Sequence, residues 1–317
     1  MTDTQNEVFK TPVNKIRLFE HGAPGSQNFK LTRKYYTEDM PDGRVKHIVQ
    51  NITDPDIVPY IPDGIGNSTD RQRIPAVLII PGGAFRRLVY NFEGEDVAKW
   101  LNSMGIAAFV LECRLPSDEH DNAEDVPLID AMRAMRVIRG RAQEFGIDEA
   151  KIGVMGFSAG GFMAALLSTA YESDVYADYK YKDEYDKLSA RPDFAVCSYP
   201  VISIDDCIEA GKRYMSEEQV LERISDSKAK ILHKYNPDKL VRPDMPPVFI
   251  CETDDDRTTL SENSVGFYMA AIKAGVSAEL HIFRTGGHGY GCGDDFAQTG
   301  EWKVLFTKWI KSIGIIS

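Results

Sequence analysis

The sequence lacks an excess of positive charge. Its 37 lysine and arginine residues are outnumbered by 48 aspartate and glutamate residues, which gives a formal net charge of −11. Nucleic-acid-binding domains usually carry a basic face, because contacts to phosphates supply much of their affinity. The sequence contains no basic stripe, so we expect no nucleic-acid partner.

Long hydrophobic runs are also missing. The longest apolar stretches, such as residues 74–80 and 105–111, have only the length of a strand. A helix that spans a membrane needs about 20 predominantly apolar residues. The N-terminus, MTDTQNEVFK, is polar and lacks the apolar segment of a signal peptide. We therefore expect no membrane partner and a cytoplasmic location.

Cysteine pairs are absent too. The chain has five cysteines, an odd number, and no C-x-x-C motif: Cys113, Cys197, Cys207, Cys251 and Cys292. Several lie in or beside apolar stretches, where a thiol behaves as a small hydrophobic group. The pattern predicts reduced cysteines and gives no indication of a metal site.

Apolar strand-like stretches alternate with helical patterns from residue 74 to the C-terminus. Strands are predicted at 75–80, 107–112, 152–155, 193–199, 247–252 and 278–283, and helices at 95–104, 128–144, 159–167, 262–274 and 302–313. Near-continuous apolar strands between helices indicate a parallel sheet that is covered on both faces. The fold class is therefore α/β, with a doubly wound, mostly parallel sheet.

The length of 317 residues fits one large domain. We assign residues 71–317 to the main α/β part of one domain and residues 1–70 to an N-terminal extension of the same domain, with strands at 45–52 and 56–61. Two charged segments interrupt the alternation, at 171–191 and 203–239, and the second has helical patterns at 207–214 and 217–224. These segments are either surface decoration or a small partial cap over a binding pocket.

The stretch GVMGFSAGGF, residues 153–162, contains a Gly-x-Ser-x-Gly motif centred on Ser158. The motif alone is common, but here a buried strand precedes it and a buried helix follows it. A serine at such a strand-to-helix turn is typical of a nucleophile elbow. Gly156 and Gly160 would allow the close packing that this sharp turn requires. Ser158 is the predicted nucleophile.

A serine nucleophile needs a base and a group that orients the base. Of the six histidines, only His288 lies in a glycine-rich loop after a late strand, in the stretch RTGGHGYG. Three candidate acids, Asp254, Asp255 and Asp256, directly follow the predicted strand 247–252. They cannot all be buried together while charged, so we expect one to point inward toward His288.

The stretch IPGGAF, residues 80–85, follows the first buried strand. A serine esterase stabilises the oxyanion of its tetrahedral intermediate with preorganised N–H donors. A glycine-rich loop at this position can turn backbone amides toward the serine. We predict the donors to be the N–H groups of Gly83 and Ala84, together with that of Ala159.

These motifs together resemble the α/β-hydrolase esterase/lipase family, in its acetyl esterase and acetylxylan-esterase-like branch. The resemblance extends from about residue 22 to the C-terminus and includes PGGAF, IGVMGFSAGG, PPVFICETDDD and GGHGYG. It implies the α/β-hydrolase fold, a Ser-Asp-His triad and no cofactor. The family's acid lies in a Thr-x-x-Asp-x-x-Val-Pro run, which matches Asp256 here. Because Thr259 and Leu260 replace Val-Pro, Asp255 remains the second candidate.

The sequence thus predicts a serine carboxylester hydrolase with Ser158, His288 and Asp256 as its triad. The resemblance implies a small acyl ester as substrate, with acetyl groups on a sugar or oligosaccharide as the favoured case. Two alternatives stay open. One is an amide-directed hydrolase of the same fold, similar to arylformamidases or peptidases, and the other is a binding protein without catalysis. The oligomeric state, a homo-oligomer included, is also open.

Overall fold

The strands of the chain form two sheets. A computed structural model describes residues 9, 12–64, 73–213, 215–216, 218–220, 227–293 and 298–317. In chain order its strands are β1 (Ile16–Arg17), β2 (Lys34–Asp39), β3 (Val45–Gln50), β4 (Asp56–Tyr60), β5 (Ile74–Ile80), β6 (Leu88–Val89), β7 (Ala107–Glu112), β8 (Ile147–Phe157), β9 (Ala195–Ser198), β10 (Val248–Thr253) and β11 (Ala278–Phe283).

The large sheet has eight strands in the order β1-β4-β7-β5-β8-β9-β10-β11. The strands from β7 to β11 in this order are parallel, and β1 and β4 extend one edge in antiparallel pairing. The predicted α/β class with a doubly wound, mostly parallel sheet is confirmed. The small sheet, β2-β3-β6, is antiparallel.

Helices connect the parallel strands. The described α-helices are α1 (Asp96–Ser103), α2 (Val126–Gly140), α3 (Ala142–Phe145), α4 (Ala159–Ala170), α5 (Ile204–Lys212), α6 (Ser227–Lys234), α7 (Ser261–Lys273) and α8 (Glu301–Ser312). The single helix predicted over 128–144 is divided at Arg141, and α3 then ends at Gly146 in the left-handed conformation, with φ of 67°. Glycine is the usual residue at such a helix end.

The core lies on both faces of the large sheet. All six residues of β7 are buried, as are the last six residues of β5. Helix α4 is almost entirely buried, because it runs directly behind the central strands. On the other side, the aromatic side chains of α8 pack against Phe249 of β10. The central strands and α4 therefore form a rigid base for the loops at their ends.

The segment 171–191 packs against the body of the protein. Tyr176 and Tyr179 contact the ring of Phe19 edge-on, and Asp183 pairs with Arg133 of α2. The second interrupting segment includes α5 and α6, while most of the helix predicted at 217–224 lies outside the described residues. A capping role for either segment remains a prediction.

Three of the five cysteines have free, buried thiols: Cys113, Cys197 and Cys251. Burial raises the pKa of each thiol, which favours the protonated form. The side chain of Cys207 lies outside the described residues. Within the described residues, no helix is both long enough and apolar enough to cross a membrane.

Candidate active site

Ser158 lies at the sharp turn between β8 and α4. Its backbone adopts φ of 53° and ψ of −120°, a conformation that L-residues rarely take. A Cβ atom on Gly156 would lie 1.9 Å from the carbonyl oxygen of Gly160, and one on Gly160 would lie 1.9 Å from that of Ile80. The two glycines are thus required by close backbone contacts, and the turn lifts the serine hydroxyl out of the sheet.

The loop after β11 brings His288 to the serine. His288 Nε2 lies 2.8 Å from Ser158 Oγ, which is hydrogen-bonding distance. The imidazole is partly exposed, with 21% of its side-chain surface accessible. A proton can therefore pass between the hydroxyl and the ring, while the ring remains reachable by a leaving group or water.

Of the three candidate acids, Asp256 is the one whose carboxylate reaches His288. Its Oδ2 atom lies 2.6 Å from His288 Nδ1, on the side of the ring opposite Ser158. The second oxygen, Oδ1, accepts hydrogen bonds from the backbone N–H groups of Thr258 at 2.7 Å and Thr259 at 3.0 Å. Asp255 is exposed and accepts instead from the N–H of Gly287, at 2.8 Å.

The environment of Asp256 favours its charged form. Burial alone would raise the pKa of this carboxyl, but the hydrogen bond to His288 and the backbone donors of Thr258 and Thr259 outweigh burial. They hold the pKa below its ordinary value of 3.8. An ionised Asp256 fixes a proton on Nδ1 of His288, which leaves Nε2 free to accept a proton from Ser158.

The glycine-rich loop after β5 lies against the serine. A Cβ atom on Gly82 would lie only 2.9 Å from the Cβ of Ser158. Gly83 and Ala84 both have positive φ, 138° and 57°, which turns this short loop back on itself. The N–H groups of Gly83, Ala84 and Ala159 donate to no acceptor among the described residues. The three predicted donors are therefore not used by other described groups.

A small apolar cavity lies behind this loop. Its volume is about 20 Å³, which is room for about one water-sized group. Among its lining residues are Gly82, Phe85, Cys113, Ala159 and Met163. The cavity thus lies next to the predicted oxyanion donor Ala159.

Sequence reasoning missed three residues at this site: Glu93, Tyr199 and Thr259. The hydroxyl of Thr259 lies 3.0 Å from Asp256 Oδ2 and 3.2 Å from His288 Nδ1. Thr259 departs from the Val-Pro of the family's run, and this departure is the sequence signal that could have identified it. Glu93 and Tyr199 carried no signal, because neither belongs to a recognised motif. Within the described residues, no group of histidine, cysteine or acidic side chains is arranged to hold a metal ion.

The order of the sheet, the turn at Ser158 and the loops that bring Asp256 and His288 to it define an α/β-hydrolase fold. The chain belongs to the BD-FAE family, whose model matches residues 65–270. Its predicted place in the α/β-hydrolase esterase/lipase family, in the acetyl esterase and acetylxylan-esterase-like branch, is confirmed by this match and by the relatives below.

The chain is 30% identical over 240 residues to an acetylxylan esterase of Xylanibacter ruminicola, covering 75% of this chain and 45% of that protein. It is 29% identical over 269 residues to endo-1,4-beta-xylanase B of Butyrivibrio fibrisolvens, covering 82% of this chain and 40% of that protein. The chain thus spans less than half the length of these two relatives.

Solved structures give a closer match in length. An acetyl ester-xyloside bifunctional hydrolase from Caldicellulosiruptor lactoaceticus is 38% identical, with a TM-score of 0.67, covering 83% of this chain and 90% of that one. The carboxylesterase Cest-2923 from Lactobacillus plantarum is 20% identical, with a TM-score of 0.66, covering 90% of this chain and 99% of that one. The latter likeness concerns the fold alone.

Proposed function

We propose that the chain is a serine carboxylic ester hydrolase that removes acetyl and other short acyl groups from carbohydrates. The observation that carries this proposal is the continuous contact from Asp256 through His288 to Ser158, together with three N–H groups that donate to no described acceptor. A serine with a base, an orienting acid and preorganised donors is the arrangement that acyl transfer requires.

In the first half of the proposed reaction, His288 Nε2 removes the proton from Ser158 Oγ as the oxygen attacks the ester carbonyl carbon. The carbonyl oxygen becomes an oxyanion, and the N–H groups of Gly83, Ala84 and Ala159 stabilise its charge. Protonated His288 then donates its proton to the alcohol oxygen. The bond between this oxygen and the acyl carbon breaks, the alcohol leaves, and the acyl group remains on Ser158.

In the second half, water takes the place of the alcohol. His288 removes a proton from water as its oxygen attacks the acyl carbon, and the same three donors stabilise the second oxyanion. The bond between the acyl carbon and Ser158 Oγ then breaks as His288 returns a proton to the serine, and the acyl group leaves as the carboxylic acid. Asp256 remains ionised throughout and offsets the charge of the imidazolium.

The substrate proposal is supported by two features. Two relatives that are at least 30% identical are named an acetylxylan esterase and an acetyl ester-xyloside bifunctional hydrolase. The apolar cavity beside Ala159 is small, at about 20 Å³, and would accept the methyl group of an acetyl ester or another short acyl chain. We therefore assign this cavity to the acyl group, so that the sugar would lie toward solvent.

The first experiment compares the wild-type protein with Ser158→Ala on p-nitrophenyl acetate and on acetylated xylo-oligosaccharides. We expect acetate release by the wild-type protein and a loss on the order of 10⁴-fold or more in kcat for the variant. A fluorophosphonate probe should label the wild-type protein at Ser158 and leave the variant unlabelled.

The control is the melting temperature, which should differ little, because Ser158→Ala removes one hydroxyl at the rim of the core. Esterase activity close to wild type in folded Ser158→Ala would refute the nucleophile. Turnover of p-nitroacetanilide in preference to p-nitrophenyl acetate would instead favour an amide-directed hydrolase.

A further inference from the structure

A buried carboxyl group that the proposed mechanism does not use lies close to the site. Glu93 is 4% exposed and belongs to a π-helical turn, Asn91–Glu95, between β6 and α1. Such turns are rare in proteins as a whole, but those that occur lie frequently at functional sites. They direct a side chain away from the position that it would have in an α-helix. Burying a carboxyl group is costly unless it is hydrogen-bonded, so the partners of Glu93 indicate what it does.

Each oxygen of Glu93 accepts one hydrogen bond, and the two donors come from different parts of the site. The N–H of Gly82 donates to Oε2 at 2.8 Å, and Gly82 belongs to the loop with the predicted oxyanion donors. The hydroxyl of Tyr199 donates to Oε1 at 3.0 Å. Glu93 thus connects the loop of the predicted oxyanion donors with Tyr199.

Tyr199 in turn contacts both loops of the proposed acid and base. Its ring packs edge-on against the imidazole of His288, with centroids 5.0 Å apart. Its hydroxyl accepts the N–H of Gly291, in the His288 loop, at 3.1 Å. Its carbonyl oxygen accepts from Thr259 Oγ1 at 3.2 Å, and Tyr199 is fully buried, with a positive φ of 37°.

We propose that Glu93 and Tyr199 are positioning residues that act as one unit, holding the oxyanion loop and the His288 loop in register across Ser158. The chain of donors is continuous: the Gly291 N–H donates to the Tyr199 hydroxyl, which donates to Glu93, which also accepts from Gly82. Among the described residues, neither side chain hydrogen-bonds to Ser158 or His288. The inference rests on the proposed hydrolase function of Ser158.

The electrostatics fit this role. Burial raises the pKa of Glu93. The nearby His288, the Tyr199 hydroxyl and the Gly82 N–H lower this pKa and so oppose the effect of burial. Burial also raises the pKa of Tyr199 well above 10, so the phenol keeps the proton that it donates to Glu93. The buried carboxyl group is thus held by fixed donors, and loss of either partner would leave a buried polar group unpaired.

The test is a double-mutant cycle with Glu93→Gln and Tyr199→Phe, measured as kcat and KM for p-nitrophenyl acetate. Each change keeps the size of the side chain and removes part of the link. We expect each single variant to lose on the order of 10²-fold in kcat, because small misplacements of a catalytic group have effects of this size. The melting temperature and KM should change little by comparison.

The double variant separates a shared role from two independent ones. If the residues act as one unit, the kcat of the double variant should be no lower than that of the less active single variant. Tyr290→Phe is the matched control, because Tyr290 is also a buried tyrosine and packs on Tyr199, but its hydroxyl contacts Cys251 Sγ at 3.5 Å. Its kcat should remain within about threefold of wild type.

The outcomes distinguish this inference from the proposed function. A wild-type protein without ester turnover and without fluorophosphonate labelling would overturn both. An active, labelled wild type whose Glu93→Gln and Tyr199→Phe variants keep kcat within about threefold would overturn the link alone, as would losses that simply multiply in the double variant. If one single variant does not fold, the other one, compared with Tyr290→Phe, decides the question by the same kcat criterion.

Discussion

Asp255 and Asp256 are neighbours in the chain but hold different parts of the site. The carboxylate of Asp256 contacts the imidazole of His288, whereas that of Asp255 accepts the backbone N–H of Gly287, in the loop that carries His288. An asparagine can still accept the Gly287 N–H through its amide oxygen. At position 256, however, an asparagine would favour the wrong tautomer of His288.

Asparagine variants at the three aspartates test this difference. We expect Asp256→Asn to lower kcat for p-nitrophenyl acetate by about 10⁴-fold, as loss of a triad acid does. Asp255→Asn should lose less than about tenfold, and Asp254→Asn, at an exposed position, serves as the matched control. A crippled Asp255→Asn beside an active Asp256→Asn would transfer the role of the acid to Asp255.

Strand β10 and helix α7 are joined by a second buried carboxyl group, that of Glu252. Its Oε1 accepts the N–H of Thr253 at 2.9 Å, and Ser264 of α7 donates to Oε2 at 3.3 Å. Burial and the negative charge of Asp256 raise the pKa of Glu252 well above 4.5. The folded protein therefore keeps a proton on this carboxyl to a higher pH than the unfolded chain does.

Because the pKa of Glu252 is raised in the fold, its contribution to the stability of the protein depends on pH. A carboxyl whose folded pKa is raised stabilises the fold fully below its unfolded pKa, and this contribution is lost as the pH rises through the folded pKa. Glu252→Gln keeps a donor and an acceptor but does not titrate. We expect the free energy of unfolding of Glu252→Gln to increase relative to that of wild type as the pH rises from about 5 to 9.

Urea unfolding at several pH values, followed by tryptophan fluorescence, measures this difference. Glu119→Gln, at an exposed position, controls for the loss of one negative charge. A difference between Glu252→Gln and wild type that stays constant over this pH range would show that Glu252 is ionised in the fold.

The elements that could be predicted from the sequence are those with a continuous apolar pattern. The predicted bounds of β7 and β11 match the structure. Strand β8 begins five residues before its predicted start, because its first half carries the polar residues Asp148 and Glu149 and so lacks the apolar signal. Strands β1, β2 and β6 were not predicted, since two of them have two residues and β2 is polar and half-exposed.

The candidate site likewise has residues that the sequence could predict and residues that it could not. Ser158, His288 and the IPGGAF loop could be found because each belongs to a short local pattern at the end of a strand. The link between Glu93 and Tyr199 joins residues 106 positions apart, and it exists only because the π-helical turn and the end of β9 meet beside Ser158. Such a contact depends on how the elements pack, so a single sequence contains no local pattern for it.

At the scale of the whole molecule, charge and shape both argue against a lipid substrate. A net charge of −11 disfavours approach to anionic lipid surfaces. The segments 171–191 and 203–239 carry many charged and tyrosyl side chains, whereas a lipase lid is rich in exposed apolar ones. The cavity assigned to the acyl group is small, at about 20 Å³, which favours short acyl chains.

We therefore expect kcat/KM to be highest for acetyl to butyryl esters and to fall at least about tenfold by octanoyl, which is about 1.4 kcal/mol of transition-state binding. A fitted apolar groove would instead add about 0.8 kcal/mol for each buried CH₂ and would favour the longer chain.

The measurement uses p-nitrophenyl acetate, butyrate and octanoate below their micelle concentrations. Met163→Ala, which shortens a side chain that lines the cavity, should raise the rate for butyrate relative to acetate. A wild-type rate that climbs steadily through octanoate would reject the short-chain assignment, because the acyl chain would then have to lie outside this cavity.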